Sequence, residues 1–212
     1  MVITKLEQMQ KQKGAAGKAS VRSSKVKVYL DGDYAFFLYQ RDIADYDLAE
    51  GMELKEDILE KLKETVFQRS KEKVLSLLGF MDRTEQELKV KLKDSGYPDE
   101  IIQKTIGFVT EYGFLNDKRY ALNYIRHRKE TRSRAVLAAE LMAKGIGREI
   151  SADIFTKEYD EPQEDPEITA LRKAIHKKVR DTSSLTWEEK QKLMGHLYRK
   201  GFSPDKIRKS LE

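Results

Sequence analysis

The chain has no cysteine, which excludes disulfide scaffolds, thiol nucleophiles and cysteine-bound metals and is compatible with a reducing cytoplasm. Only three histidines occur, His127, His176 and His196. No two of them share a helical turn, so no metal site is expected. No apolar run reaches the roughly 18 residues that a membrane span needs, and the opening MVITKLEQMQKQKG lacks the continuous apolar stretch of a secretory signal. A soluble cytoplasmic monomer with no membrane partner is the expectation.

Catalytic constellations are also missing. No serine has the glycine-flanked context of a nucleophile elbow, and the GIG at residues 145–147 lacks the preceding strand that a dinucleotide fingerprint requires. The segment GAAGKAS, residues 14–20, is too short for a phosphate loop and carries Ala19 where a hydroxyl must follow the lysine. The 36 carboxylates single out no acid/base pair. No catalytic residue, cofactor or enzymatic activity is expected.

What the sequence does contain is repetition. Leu88, Leu92, Gly96, Tyr97 and Ile106 recur 49 positions later as Leu137, Leu141, Gly145, Ile146 and Phe155, and 56 positions beyond those as Leu193, Leu197, Gly201, Phe202 and Leu211. Five matched positions in three copies mark an internal repeat. An apolar fraction of 39% is low for one large core and suits several small ones. Each copy reads as three helices. One precedes the block, a second carries the two leucines, and a third supplies the last apolar residue. The glycine sits where the second helix must end in a left-handed turn, and the next apolar residue folds back on the helix just finished. Thr84 with Glu87 reads as a capping box, and Asp117 and Ser133 as later helix caps.

Ahead of the repeats, KVKVYLDGDYAFFLY alternates Val26, Val28 and Leu30 with polar neighbours and turns at Asp31-Gly32, a β-hairpin signal. VITKLEQMQ is a candidate third strand. The period becomes helical from about Leu54. The fold expected is mainly α: an elongated array of three three-helix repeats behind a small N-terminal β-hairpin element. The divisions are 1–50, 51–115, 116–160 and 161–212, the last following an acidic linker.

Charge is unevenly spread. Residues 1–30 carry a net +6, residues 116–134 a net +5, and residues 158–167 hold six acids and no base. Separated basic regions point to an anionic partner. The matched leucines and glycines are read as packing, so function is sought elsewhere. On a helix from Asp117, Ala121, Tyr124, Ile125 and Arg128 fall on one side, and Arg119, Asn123 and Arg126 on the other. Arg132 and Arg134 flank the next helix start. Arg119, Arg126, Arg132 and Arg134 are therefore the candidate partner-binding residues, with an ordinary solvated face as the alternative. Trp187 is read as a core anchor of the third repeat.

The block from LLGFMDRTEQELKVKLKDSGYPDE through EYGFLNDKRYALNYIRHR, followed by AELMAKGI, resembles the RecX family of bacterial recombination regulators. The motif residues are Arg83-Thr84, Glu87-Leu88, Lys91-Leu92, Gly96-Tyr97, Gly113 to Asp117, Tyr120-Ala121, Glu140-Leu141 and Lys144-Gly145-Ile146. The resemblance covers about Leu54 to Glu212. It implies a curved array of three-helix repeats that binds the RecA recombinase filament on single-stranded DNA and modulates, mostly by inhibiting, its ATPase, strand-exchange and co-protease activities. Weak direct DNA contact belongs to the same expectation. The alternative is a helix-turn-helix-like protein acting directly on DNA. The third helices PDEIIQKTIGFV and REISADIFTKEY are, however, poor in groove-reading Arg, Asn and Gln.

Overall fold

The computed structural model describes residues 1–9, 24–160 and 165–211. The GAAGKAS segment and residues 161–164 of the acidic stretch lie outside the described residues. Strands β1 (Ile3–Gln8), β2 (Lys25–Leu30) and β3 (Asp33–Tyr39) form an antiparallel sheet in that order. The alternation in β2 is direct, with Val26, Val28 and Leu30 buried and the residues between them only partly so. Asp31 and Gly32 both take positive φ, 51° and 99°, as a type I′ hairpin turn requires.

Helical structure begins earlier than the change of period near Leu54. A short helix, α1 (Gln40–Asp45), follows β3 directly. Six residues with one inward apolar side chain, Ile43, are too few for a helical period to register. Asp42 fixes it: its carboxylate accepts from the Tyr39 amide at 2.7 Å and from both terminal nitrogens of Arg69 at 2.6 and 2.8 Å.

Among the described residues, nine further helices form three consecutive triplets. These are α2 (Glu56–Phe80), α3 (Glu85–Asp94) and α4 (Asp99–Glu111); α5 (Asp117–Arg128), α6 (Arg134–Ala143) and α7 (Arg148–Phe155); and α8 (Pro166–His176), α9 (Trp187–Arg199) and α10 (Pro204–Leu211). A single π-helical turn, Thr156–Asp160, extends α7. Every matched leucine is buried, and so are Tyr97, Ile146, Phe202, Ile106, Phe155 and Leu211. The corners are Schellman motifs: the amides of Tyr97, Ile146 and Phe202 donate to Leu92, Leu141 and Leu197, across the glycines at φ 87°, 84° and 79°.

By contact the described chain divides into two compact units, Met1–Asp82 with Leu88–Leu115, and Arg83–Glu87 with Asn116–Glu212. In the first, the sheet, α2 and α4 share one apolar core, in which Phe37 meets Tyr97 edge to face at 5.0 Å. The second holds two separate clusters, one around Ile125, Leu137 and Leu141, the other around Leu171, Leu197 and Phe202.

One expectation needs correction. Trp187 is not a core anchor: it is 74% exposed at the first turn of α9. The middle helices α3 and α6 begin 49 residues apart, in step with their leucines, whereas α9 starts three residues ahead of its register. Trp187 therefore stands on an added turn, about 80–120° around the helix from Leu193 and Leu197. The candidate strand VITKLEQMQ is present as β1. Ile3 is fully buried in the sheet, its amide donating to Met52, and Lys25 lies 3.9 Å over the Phe37 ring.

Candidate functional site

Part of the sequence motif, Thr84 and Glu87 with Asp117, Tyr120 and Lys144, comes together in the second unit, and what these residues build is a joint. The Thr84 side chain accepts from the Glu87 amide, the Glu87 carboxylate accepts from the Thr84 amide, and the Thr84 hydroxyl donates to the Lys144 carbonyl at 2.7 Å. Lys144 Nζ reaches Glu87 at 2.7 Å and lies 5.7 Å from the Tyr120 ring. The neighbouring Glu87 carboxylate raises the Lys144 pKa. Asp117, expected as a cap, instead accepts the Glu85 amide at 3.0 Å, while Asn116 caps α5 through the Arg119 amide. One repeat later the pattern recurs: Ser133 caps α6 and donates to the Lys200 carbonyl at 2.8 Å, and the Arg134 amide donates to Glu167. These motif residues are thus packing chemistry.

The four candidate arginines lie outside that joint, on α5 and at the start of α6. Arg119 is exposed and forms no ion pair among the described residues. The other three are engaged. Arg126 pairs with Glu158 at 2.7 Å, Arg132 with Glu140 at 3.2 Å, and Arg134 with Asp160 at 3.0 Å. Lys129 also reaches Glu158 at 2.7 Å. Burial pushes the Glu158 carboxyl up, but hydrogen bonds from Lys129 and Arg126 outweigh it and hold the group below the ordinary carboxylate range. Arg134 additionally lies 5.5 and 5.6 Å from the Phe155 and Tyr159 rings. Arg128 stacks on Tyr124 at 4.0 Å. The structure therefore brings Arg126 and Arg134 to successive carboxylates of one π-helical turn and leaves Arg119 apart from them.

Residues 158–167 read in the sequence as an acidic linker. The described members are instead the acceptors of the basic face: Glu158 and Asp160 take the arginines, and Asp165 and Glu167 both take Lys206. The signal is present in the opposed charge blocks, but nothing in spacing alone pairs side chains some 26–32 residues apart.

Among the described residues no helix is long and apolar enough to cross a membrane, and no cluster of three metal-ligating side chains occurs.

Three family models match the chain in order: the first RecX three-helix domain at residues 71–108, the second at 116–153 and the third at 165–211. A protein built from three tandem three-helix domains of this kind is thereby defined, and the chain belongs to the RecX family. Regulatory protein RecX of Clostridium acetobutylicum is 29% identical over 209 residues, covering 97% of this chain and 92% of the relative. Regulatory protein RecX of Bacillus velezensis is 31% identical over 195 residues, covering 90% and 72%. Among solved structures, a crystal structure of regulatory protein RecX superposes with a TM-score of 0.63 at 26% identity, covering 98% of this chain and 97% of that one. RecX from Lactobacillus salivarius, at 22% identity and a TM-score of 0.60 over 70% of this chain, shares the fold.

Proposed function

We propose that the protein regulates the RecA recombinase by binding its filament on single-stranded DNA, mostly inhibiting ATP hydrolysis, strand exchange and co-protease activity. Family membership along nearly the whole chain carries this reading. Binding without turnover fits it, because occupation of a filament groove needs no reacting group. Repeated modules add linked weak contacts, each raising the effective concentration of the next. The work belongs to the cytoplasm, where DNA and recombinase meet.

The contact is placed on Arg119, Arg126, Arg132 and Arg134. Arg126, Arg132 and Arg134 already hold carboxylates at 2.7–3.2 Å, and Arg119 is exposed without one among the described residues, so the set offers donors in the geometry that a partner's acidic groups require. Glutamate substitutions are a poor test, since they would set a new carboxylate beside the buried Glu158. Glutamine at all four positions is the cleaner variant. It is expected to weaken inhibition of RecA-dependent ATP hydrolysis at least tenfold while the helical signal by circular dichroism is retained. Undiminished inhibition by a folded variant would remove these residues from the contact.

A further inference from the structure

Lys25 is set apart from the other lysines by its surroundings. At the second and third corners, the carbonyl before the glycine takes a hydroxyl from the preceding repeat, Thr84 on Lys144 and Ser133 on Lys200. The first corner packs on the sheet rather than on a repeat, and there the Ser95 carbonyl takes Lys25 Nζ instead, at 2.9 Å. Lys25 opens β2 opposite Tyr39, and its side chain crosses the Phe37 ring at 3.9 Å to reach that carbonyl.

The Lys25 amine thus lies between an aromatic ring and a helix end, without a counter-charge. Lys73 on α2 is a second cation beside it, and neither lysine forms an ion pair among the described residues. Asp42, in the same unit, is committed to Arg69. Burial first, and then Lys73, push the Lys25 pKa down. Desolvation and a neighbouring like charge both favour the neutral amine. Lys144, held by Glu87, is shifted the opposite way. The Lys25 side chain is only partly buried, so a small reagent reaches it.

We propose that Lys25 is a site of covalent acylation by small acyl phosphates. An acyl phosphate carries its negative charge next to its reactive carbonyl, and the uncompensated pair of Lys25 and Lys73 attracts it. The neutral Lys25 amine attacks the carbonyl carbon. A C–N bond forms as the acyl C–O bond breaks, and phosphate leaves with the bonding electrons and takes up the proton that nitrogen releases. The product is a neutral amide, which loses the attraction of a cation for the Phe37 ring. Modification therefore loosens the tie between the sheet and the first corner. The site stands independently of the RecA contact.

The test is acetylation of the full chain by acetyl phosphate at low conversion, with the occupancy of each lysine read by peptide mass spectrometry. Two partly buried lysines serve as references, Lys27 on the same strand and Lys144 beside Glu87. Each unit of pKa changes the neutral fraction of an amine about tenfold near neutral pH, so Lys25 is expected to acetylate at least about threefold faster than either reference. K73Q is expected to slow Lys25 about twofold or more through loss of the like charge, with the references unchanged. Denaturing urea removes the fold and keeps the local sequence, and the preference for Lys25 is expected to vanish in it. Equal rates at Lys25 and Lys27 in the folded parent would overturn the assignment. So would a preference that survives in urea, or a Lys25 rate that K73Q leaves unaltered.

Discussion

Gly145 carries two constraints at once. Its φ of 84° disfavours any side chain, and a Cβ there would collide with the Cβ of Gln86, an atom too close to the backbone to move aside. Gly51 has φ 83° with open space around it. G51A is therefore expected to cost about 1 kcal/mol from backbone strain alone, and G145A about 1–3 kcal/mol more; urea unfolding of the two variants separates the contributions. Equal losses would mean that Gln86 does not pack on the corner. Glu158 sets a pH dependence. Its folded pKa lies below the ordinary 4.5, so the stability it supplies is fully present above that value and is lost as pH falls through the lowered one. Asp42, lowered from 3.8 against its burial by Arg69 and the Tyr39 amide, acts in the same direction. E158Q is expected to lower the melting temperature at pH 7 and to shrink the further loss on acidification to pH 3. A variant as acid-sensitive as the parent would assign the transition to other carboxylates.

At the scale of elements, the caps rank by burial. Thr84 is fully buried and serves α3 and the Lys144 carbonyl together, whereas Thr186 caps the exposed start of α9. T84A is expected to cost about 2 kcal/mol and T186A about 1 or less, read from denaturation midpoints; the reverse order would contradict the joint. Much of this is legible in the sequence. The leucine pairs and glycine corners announce themselves because a Schellman turn demands a particular residue at a particular offset, and the hairpin turn does the same at Asp31-Gly32. Trp187 misleads because α9 gains a turn without disturbing the leucine register. Helix α1 is too short to show a period. The partners of Arg126 and Arg134 are hidden because ion pairing across 26–32 residues is set by how α5, α6 and the π-helical turn pack, which no local spacing encodes.

At the scale of the whole molecule, the motifs that reveal the family are those that pack it, and the residues proposed to act lie beside them. Regulation by binding then predicts no turnover: purified protein is expected to hydrolyse no ATP and cleave no DNA, and an activity abolished by a point change would contradict it. Truncating the N-terminal region would remove the strand that buries Ile3, so its charge is tested by substitution. Neutralising Lys11, Lys13, Lys18 and Arg22 to glutamine is the suitable variant, expected to change the salt dependence of association more than its extent. The most direct measurement is the rate of ATP hydrolysis by RecA on single-stranded DNA at physiological salt, titrated with this protein. A saturable fall is expected with the parent, and a much weaker fall with the fourfold arginine-to-glutamine variant. A rate unchanged at saturating protein, with tight binding to naked duplex at the same salt, would contradict regulation through RecA and favour direct action on DNA.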